Sequence, residues 1–407
     1  MPRIVLPVPA AVGRRARNWQ QKARIPRIAL PVPYGCTVTG IDGKAVGALV
    51  ERARREVDSG LLPAAQLALS LEGEIVVSEA LGDCTTDTRF HTYSAVKPSV
   101  ALTAMELAAD GLFDIAAPVR DVLEPFGANG KEAITVSQVM LHAGGFPYAP
   151  LGRTETTDRA ARLAAYASWG TDWEPGTRFE YHALSAHWVL ADIVTEVTGR
   201  PYADVIAERV MEPAGCSRWL GIGTDDQADV ADVAGVGSEP SAEELAAIGL
   251  EELPGGVGTD VLMAFNRPWL RAVGIPGGGG IARATDMARW YQAVLHNPDG
   301  FLHPEVRHDA MVVRQNHPDW TGTPANRSHA FVLAGGDGKT GMRGHGHGAP
   351  AEAFGHGGAA GQIAWADPAS GISFAYLTNG LDRNDLASAR RRVALSTRAL
   401  ACVERQK

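Results

Sequence analysis

Apolar positions along this chain follow two different periods. From Lys44 to Ser59, Val46, Leu49, Val50, Ala53 and Val57 recur at the spacing of one helix face, and Gly60 stands where a C-cap belongs. Ala64–Leu71 and Ile75–Ala80 are short apolar-rich runs flanking Glu72-Gly73, a pattern that predicts a β-hairpin. A strand over 88–93 then leads into a helical run carrying Val100, Leu102, Met105, Leu107 and Ala108, which ends near Gly111.

Residues 112–270 read as mostly helical, with turn-rich breaks at His142–Pro147 and Glu174–Thr177. The segment 184–197 is amphipathic and capped by Gly199. After Gly277–Gly280 the pattern predicts a helix over 286–295 and strands over 330–334, 362–366 and 372–378, with a Pro/Gly turn at 367–371, then a closing helix over 384–403. Elements from both ends of the chain thus form one α/β layer around an inserted, mostly helical region. The expected division is an extended Pro/Arg-rich arm over 1–43 and one domain over 44–407. Within that domain, an α/β lobe spans about 44–93 and 272–407, and a helical lobe spans about 94–271.

Composition adds exclusions. The 407 residues, 45% apolar and 21% charged, fit a soluble globular protein large enough for a sizeable core. Residues 1–30 hold seven basic side chains and no acid, leaving 31 basic against 46 acidic in the rest, which argues against nucleic acid as a partner. Between Trp219 and Asn266 there are ten acids and no Lys or Arg; this reads as a solvated excursion that would disfavour anionic substrates if it rimmed a pocket. No apolar run approaches the ~18 residues of a membrane span. Arg14-Arg15 is followed by polar residues where a signal would be apolar, so a cytoplasmic location is expected. Cys36, Cys84, Cys216 and Cys402 are scattered and suggest neither a disulfide framework nor a zinc site; no metal and no cofactor are expected. In the arm, Pro2–Ala10 recurs as Pro26–Tyr34. Such an extended segment can lie along its own domain or reach a second copy in a homo-oligomer, and the sequence leaves both open.

Chemistry concentrates at His91-Thr92-Tyr93-Ser94-Ala95-Val96-Lys97. Residues three apart share a helical face, so the Ser94 hydroxyl and the Lys97 amine can converge, and a helix N-terminus favours negative charge beside them. A nucleophilic serine needs a base, an oxyanion site and a substrate-guiding group. Lys97 serves as base only if its pKa falls or a second group shares the proton. Tyr181, after the Pro175-Gly176 turn and flanked by Lys97, can sit partly as phenolate and accept the Ser94 proton. Phe354–Gly361 carries glycines that allow close backbone approach, with His356 as a cation or donor beside them.

These three stretches resemble the motifs of serine β-lactamase-like proteins, most closely the esterase branch called family VIII carboxylesterases. Supporting segments include Gly111–Val119, Leu141–Gly145, Gly278–Ile281 and Gly355–Asn379, and the resemblance is colinear over roughly residues 45–400. It implies the β-lactamase/transpeptidase-like fold, with an antiparallel sheet flanked by helices. It also implies a catalytic set of Ser94, Lys97 and Tyr181, an oxyanion hole from the Ser94 and Ala359 N–H groups, and substrate contacts at His356, Gly357 and Gly358. Two departures matter: Ala183 stands where such β-lactamases carry an asparagine, and His356 replaces their lysine. Both favour simple esters over β-lactams. The reading is therefore a serine hydrolase acting on a small-molecule ester. An acyltransferase, a D-aminopeptidase or a weak β-lactamase would use the same residues, and a non-catalytic binding or assembly protein on this fold is the reading from another class.

Several look-alikes are set aside. Lys339-Thr340-Gly341 spells the β-lactamase third motif but precedes no strand pattern, and it stays only as the alternative to His356. The same lysine fails as a P-loop because Leu333 occupies the first glycine position. No G-x-S-x-G follows His-Gly-Gly, as an α/β-hydrolase would require. His345 and His347 lack a carboxylate or thiol neighbour for metal binding, and His142 reads as a structural hydrogen-bonder.

Overall fold

The computed structural model describes residues 38–253 and 257–405, so the arm expected over 1–43 lies outside the described residues except at its end. There, β1 (Val38–Ile41) pairs antiparallel with β12 (Val403–Arg405). The closing helix accordingly stops at Leu400, three residues short of the expected limit, because Val403 is taken up by the strand.

The central sheet is built from β2 (Ala64–Leu71), β3 (Glu74–Gly82), β7 (Val332–Leu333), β8 (Phe354–Gly357), β9 (Ile363–Asp367) and β10 (Ile372–Thr378). Their order is β3-β2-β10-β9-β8-β7, and each neighbouring pair is antiparallel. The β2–β3 hairpin turns at Glu72-Gly73, both with positive φ, as the Glu-Gly pair predicted.

Side chains alternate across a strand, and here both faces are covered. Ala64, Ala68, Ala364, Ala366, Ala375 and Leu377 point into the core cluster shared with the helical region. Ala65, Leu67, Leu69, Ile363, Trp365, Phe374 and Tyr376 point into a second cluster on the opposite face. Small residues on the first face let the helix Ala284–His296 lie close against β2 and β10. On the second face, the larger side chains fill the space beneath the helices Gly43–Asp58 and Asp385–Leu400. Continuous burial along β2 and β10 explains why these strands read as unbroken apolar runs rather than alternating ones.

In the helical region, Lys97–Ala109 packs against Ser185–Thr198, and both helices are buried almost all round. Asp192 on the second helix is fully buried. It is held by Arg162 through two bonds (2.7 and 2.8 Å), by Tyr166 Oη (2.6 Å) and by Arg159 Nε (3.1 Å). The molecule is thus a mixed α/β protein with a β-lactamase/transpeptidase-like architecture.

Candidate active site

The strand β4 (Phe90–Tyr93) pairs with β6 (Gly280–Ala282) and delivers the chain to Ser94. Tyr93 adopts φ 46°, ψ −132°, a conformation that bulky residues avoid and that stores about 1–3 kcal/mol of strain. Its ring packs edge-on to Phe265 with centroids 5.5 Å apart, and its hydroxyl donates to the Leu262 carbonyl at 3.2 Å, which holds the strained residue in place. Ser94 then opens a single 3₁₀ turn over Ser94–Val96, which runs into the helix starting at Lys97.

The spacing argument is met in geometry: Lys97 Nζ lies 3.0 Å from Ser94 Oγ. The lysine is almost wholly buried and also donates to the carbonyl oxygens of Ala183 (2.7 Å) and Gly277. No carboxylate pairs with it among the described residues. Burial drives its pKa down, and Arg327 adds to that, while nearby Tyr181 acts in the opposite direction.

Tyr181 comes beside it from the loop before the helix Ser185–Thr198, and Lys97 Nζ lies 5.0 Å from the ring centroid. The Tyr181 hydroxyl is enclosed, and its interaction is with the Lys97 amine, whose pKa it acts to raise. His142, 4.7 Å from Tyr181 between centroids, accepts the His182 N–H on its Nδ1 (3.1 Å), in keeping with the structural role read for it.

The glycine-rich segment closes the site from the sheet side. His356 and Gly357 end β8, and Gly358 abuts the strand before the nucleophile. A Cβ at Gly358 would stand 2.2 Å from the Thr92 carbonyl, so only glycine allows this approach. Across the site, a Cβ at Gly280 would stand 2.4 Å from Thr92 Oγ1. Ala360 has φ 61°, turning the chain sharply just after Ala359. Among the described residues, neither the Ser94 nor the Ala359 N–H donates to a loop, turn or cap carbonyl.

Of the two roles expected for His356, cation or donor, the surroundings disfavour the first. Burial, reinforced by Arg327 and Lys97, holds it well below the usual imidazole range. Its Nδ1 lies 2.6 Å from the Gly357 carbonyl, which requires the proton there, and Nε2 faces Arg327 Nη1 at 3.4 Å as acceptor. The positive charge beside it is on Arg327. That side chain, which sequence reasoning missed, has its guanidinium 5.3 Å from the Phe179 centroid and 5.0 Å from the Tyr181 centroid. Its only signal was an arginine just ahead of the strand expected over 330–334, outside every motif.

Lys339, by contrast, is exposed and donates to the Gly322 carbonyl (3.2 Å), outside any strand. Three of the ten acids of the 219–266 segment are engaged in ion pairs: Asp229 with Arg89, Asp232 with Arg271 and Glu244 with Arg390. A second serine chain links Ser137 Oγ to His329 Nε2 (2.8 Å) and His329 Nδ1 to Asp309. The Ser137 and Gln138 N–H groups already donate to Ile115 O and Thr135 Oγ1, leaving no local oxyanion site.

A nucleophile-type serine beside a buried lysine, set between an antiparallel sheet and a helical lobe, defines the serine β-lactamase-like class. The family model described as Beta-lactamase matches residues 49–399, and the chain belongs to that family. It is an enzyme of the serine hydrolase type. It is 28% identical over 351 residues to the esterase/beta-lactamase LipL of Mycobacterium tuberculosis, covering 77% of this chain and 76% of that protein. It is also 30% identical over 246 residues to the esterase EstB of Burkholderia gladioli, covering 55% of this chain and 61% of that protein. Among solved structures, a penicillin-binding protein homologue from Caulobacter crescentus superposes with a TM-score of 0.72 at 25% identity, covering 90% of this chain and all of the other. A family VIII carboxylesterase does so at 0.71 and 24%, covering 89% of this chain and all of the other, which speaks for the fold. No helix among the described residues is long and apolar enough to cross a membrane.

Proposed function

We propose that the chain is a carboxylesterase that works through an acyl-enzyme on Ser94. The observation that carries this is the setting of Lys97 Nζ between two carbonyls and the serine. Carbonyl oxygens can only accept, so Ala183 and Gly277 claim two N–H bonds. In the neutral amine that burial favours, the remaining position toward Ser94 is a lone pair, which is what a general base requires.

In this reading Lys97 takes the Ser94 proton as Oγ attacks the ester carbonyl. Tyr181, whose hydroxyl interacts with Lys97, relays that proton to the departing alcohol. The oxyanion is received by the N–H groups of Ser94 and Ala359, and a water then hydrolyses the acyl-enzyme along the reverse proton path. The esterases among the relatives support the substrate class. Against β-lactams stand Ala183, which offers only its carbonyl, and the neutral His356.

The test is hydrolysis of a p-nitrophenyl ester series of increasing acyl length, with a cephalosporin as control. Ser94→Ala should abolish ester turnover while the circular dichroism spectrum stays native; persistence of turnover refutes the assignment. Tyr181→Phe should lower kcat by about 10²–10⁴-fold, the usual worth of a proton-transfer group.

A further inference from the structure

Tyr181 is held in place through its neighbours. Among the described residues its own backbone takes part in no hydrogen bond, whereas the residues on either side of it are both bonded to His142. The Glu180 N–H donates to the His142 carbonyl (3.2 Å), and the His182 N–H donates to His142 Nδ1 (3.1 Å). The same imidazole lies against the Tyr181 ring, 4.7 Å between centroids, and edge-on to Phe179 at 6.1 Å. His142 meets this segment with a left-handed backbone, φ 55°, a conformation uncommon outside glycine.

The two loops interlock further. His182 Nδ1 donates to the Glu180 carbonyl (2.6 Å), and its Nε2 accepts the Phe146 N–H (3.0 Å) from the turn that begins at His142. The tautomers follow: His182 carries its proton on Nδ1, and His142 carries its own on Nε2, because its Nδ1 must accept. Burial, with Arg327 adding to it, holds the His142 ring well below the usual imidazole range, so that acceptor is kept at neutral pH. Ser94 is fixed by a helical turn and Lys97 by two carbonyls. Tyr181 comes from irregular chain, yet a proton-transfer group has to stay within hydrogen-bond reach of its partners. We propose that His142 is a positioning residue for ester cleavage, which sets the Tyr181 hydroxyl against the Lys97 amine by fixing the residue on each side of the tyrosine. The inference rests on the esterase reading and deepens it.

The test is a double-mutant cycle on p-nitrophenyl butyrate hydrolysis in the full-length protein, with circular dichroism to check folding. His142→Leu removes the Nδ1 acceptor and should lower kcat about 10²-fold, the cost of a misplacement of about 1 Å at a reacting centre, with KM changed less than about threefold. His142→Asn offers Oδ1 in place of Nδ1 and tolerates positive φ, so it should recover most of that kcat. In a Tyr181→Phe background, His142→Leu should cost less than about threefold, because the hydroxyl it positions is already gone. A leucine variant with the wild-type kcat overturns the proposal. So do full additivity of the two losses and an asparagine variant no better than leucine, since either means that His142 only supports the fold. If the leucine variant does not fold, His142→Gln, which keeps a polar side chain but places no acceptor at the Nδ1 position, enters the same cycle with the same expected losses. A wild type without ester turnover refutes the esterase reading instead, and a Tyr181→Phe enzyme as active as wild type refutes the tyrosine's place in it.

Discussion

Lowering the pH from 7 to 5 should cost this protein most of its stability, and the reason is its histidines. Burial pushes His91 down to about 3, from an ordinary value of 6.5, and His182 and His345 down to about 4. Among the described residues, both ring nitrogens of His91 lack a hydrogen-bond partner, so none of them would welcome its proton. His182 is used up between the Phe146 N–H and the Glu180 carbonyl. For each of these groups the folded pKa lies below the unfolded one. The unfolded chain therefore binds the proton first as the pH drops through 6.5, and the native state loses ground until its own pKa is reached. Between pH 7 and pH 5 the linkage amounts to about 1.9 kcal/mol per histidine, or about 6 kcal/mol for the three. His142, His187 and His356, all held well below the usual range by burial, act in the same direction. Against a total stability of roughly 5–15 kcal/mol for a folded domain, this is a decisive fraction. Urea unfolding followed by tryptophan fluorescence at pH 7, 6, 5.5 and 5 measures it. A free energy that changes by less than about 1 kcal/mol over that range, or an uptake below one proton per unfolding event, would refute the reasoning.

Two further outcomes test the scaffold. Asp192→Ala leaves Arg162 buried without its counter-charge and should cost about 3–5 kcal/mol, seen as a clear fall in melting temperature; a shift within error would mean that Arg162 escapes to solvent. Gly358→Ala forces a Cβ to within 2.2 Å of the Thr92 carbonyl and must push the proposed oxyanion segment away from Ser94. Ester turnover should fall about 10²-fold, as a displacement near 1 Å costs at a reacting centre, with melting temperature changed far less.

Much of the fold could be read from periodicity. The β2 run and the helix capped by Gly199 lie where the pattern put them, because each has one decisive local cause: a continuous apolar stretch or a residue free to turn left-handed. The Ser94–Lys97 pairing was legible for the same reason, since three-residue spacing on a helical turn is purely local. Arg327 was not, because its significance comes from lying against Phe179 and Tyr181, residues some 150 positions away. The backbone of Tyr93 was equally hidden: nothing in a tyrosine announces a positive φ, which long-range contacts with Phe265 and Leu262 enforce. For His356 the sequence left cation and donor open, because burial, which bears on its charge, is invisible there.

The pairing of β2 with β10 bears on how the enzyme is made. These neighbours meet across some 300 residues, and Thr378 Oγ1 closes the pair on the Ala64 carbonyl, 314 positions away. During synthesis β2 and β3 leave the ribosome early and wait as a hairpin with one uncovered edge, while nearly the whole helical region is still being translated. Contacts of such high sequence separation make for slow closure and leave an aggregation-prone edge in the meantime. Ser94 is likewise translated long before Ala359, its proposed oxyanion partner. A nascent chain therefore carries Ser94 for most of its synthesis without the opposite wall of its site, and hydrolytic competence arrives only when the last strands dock.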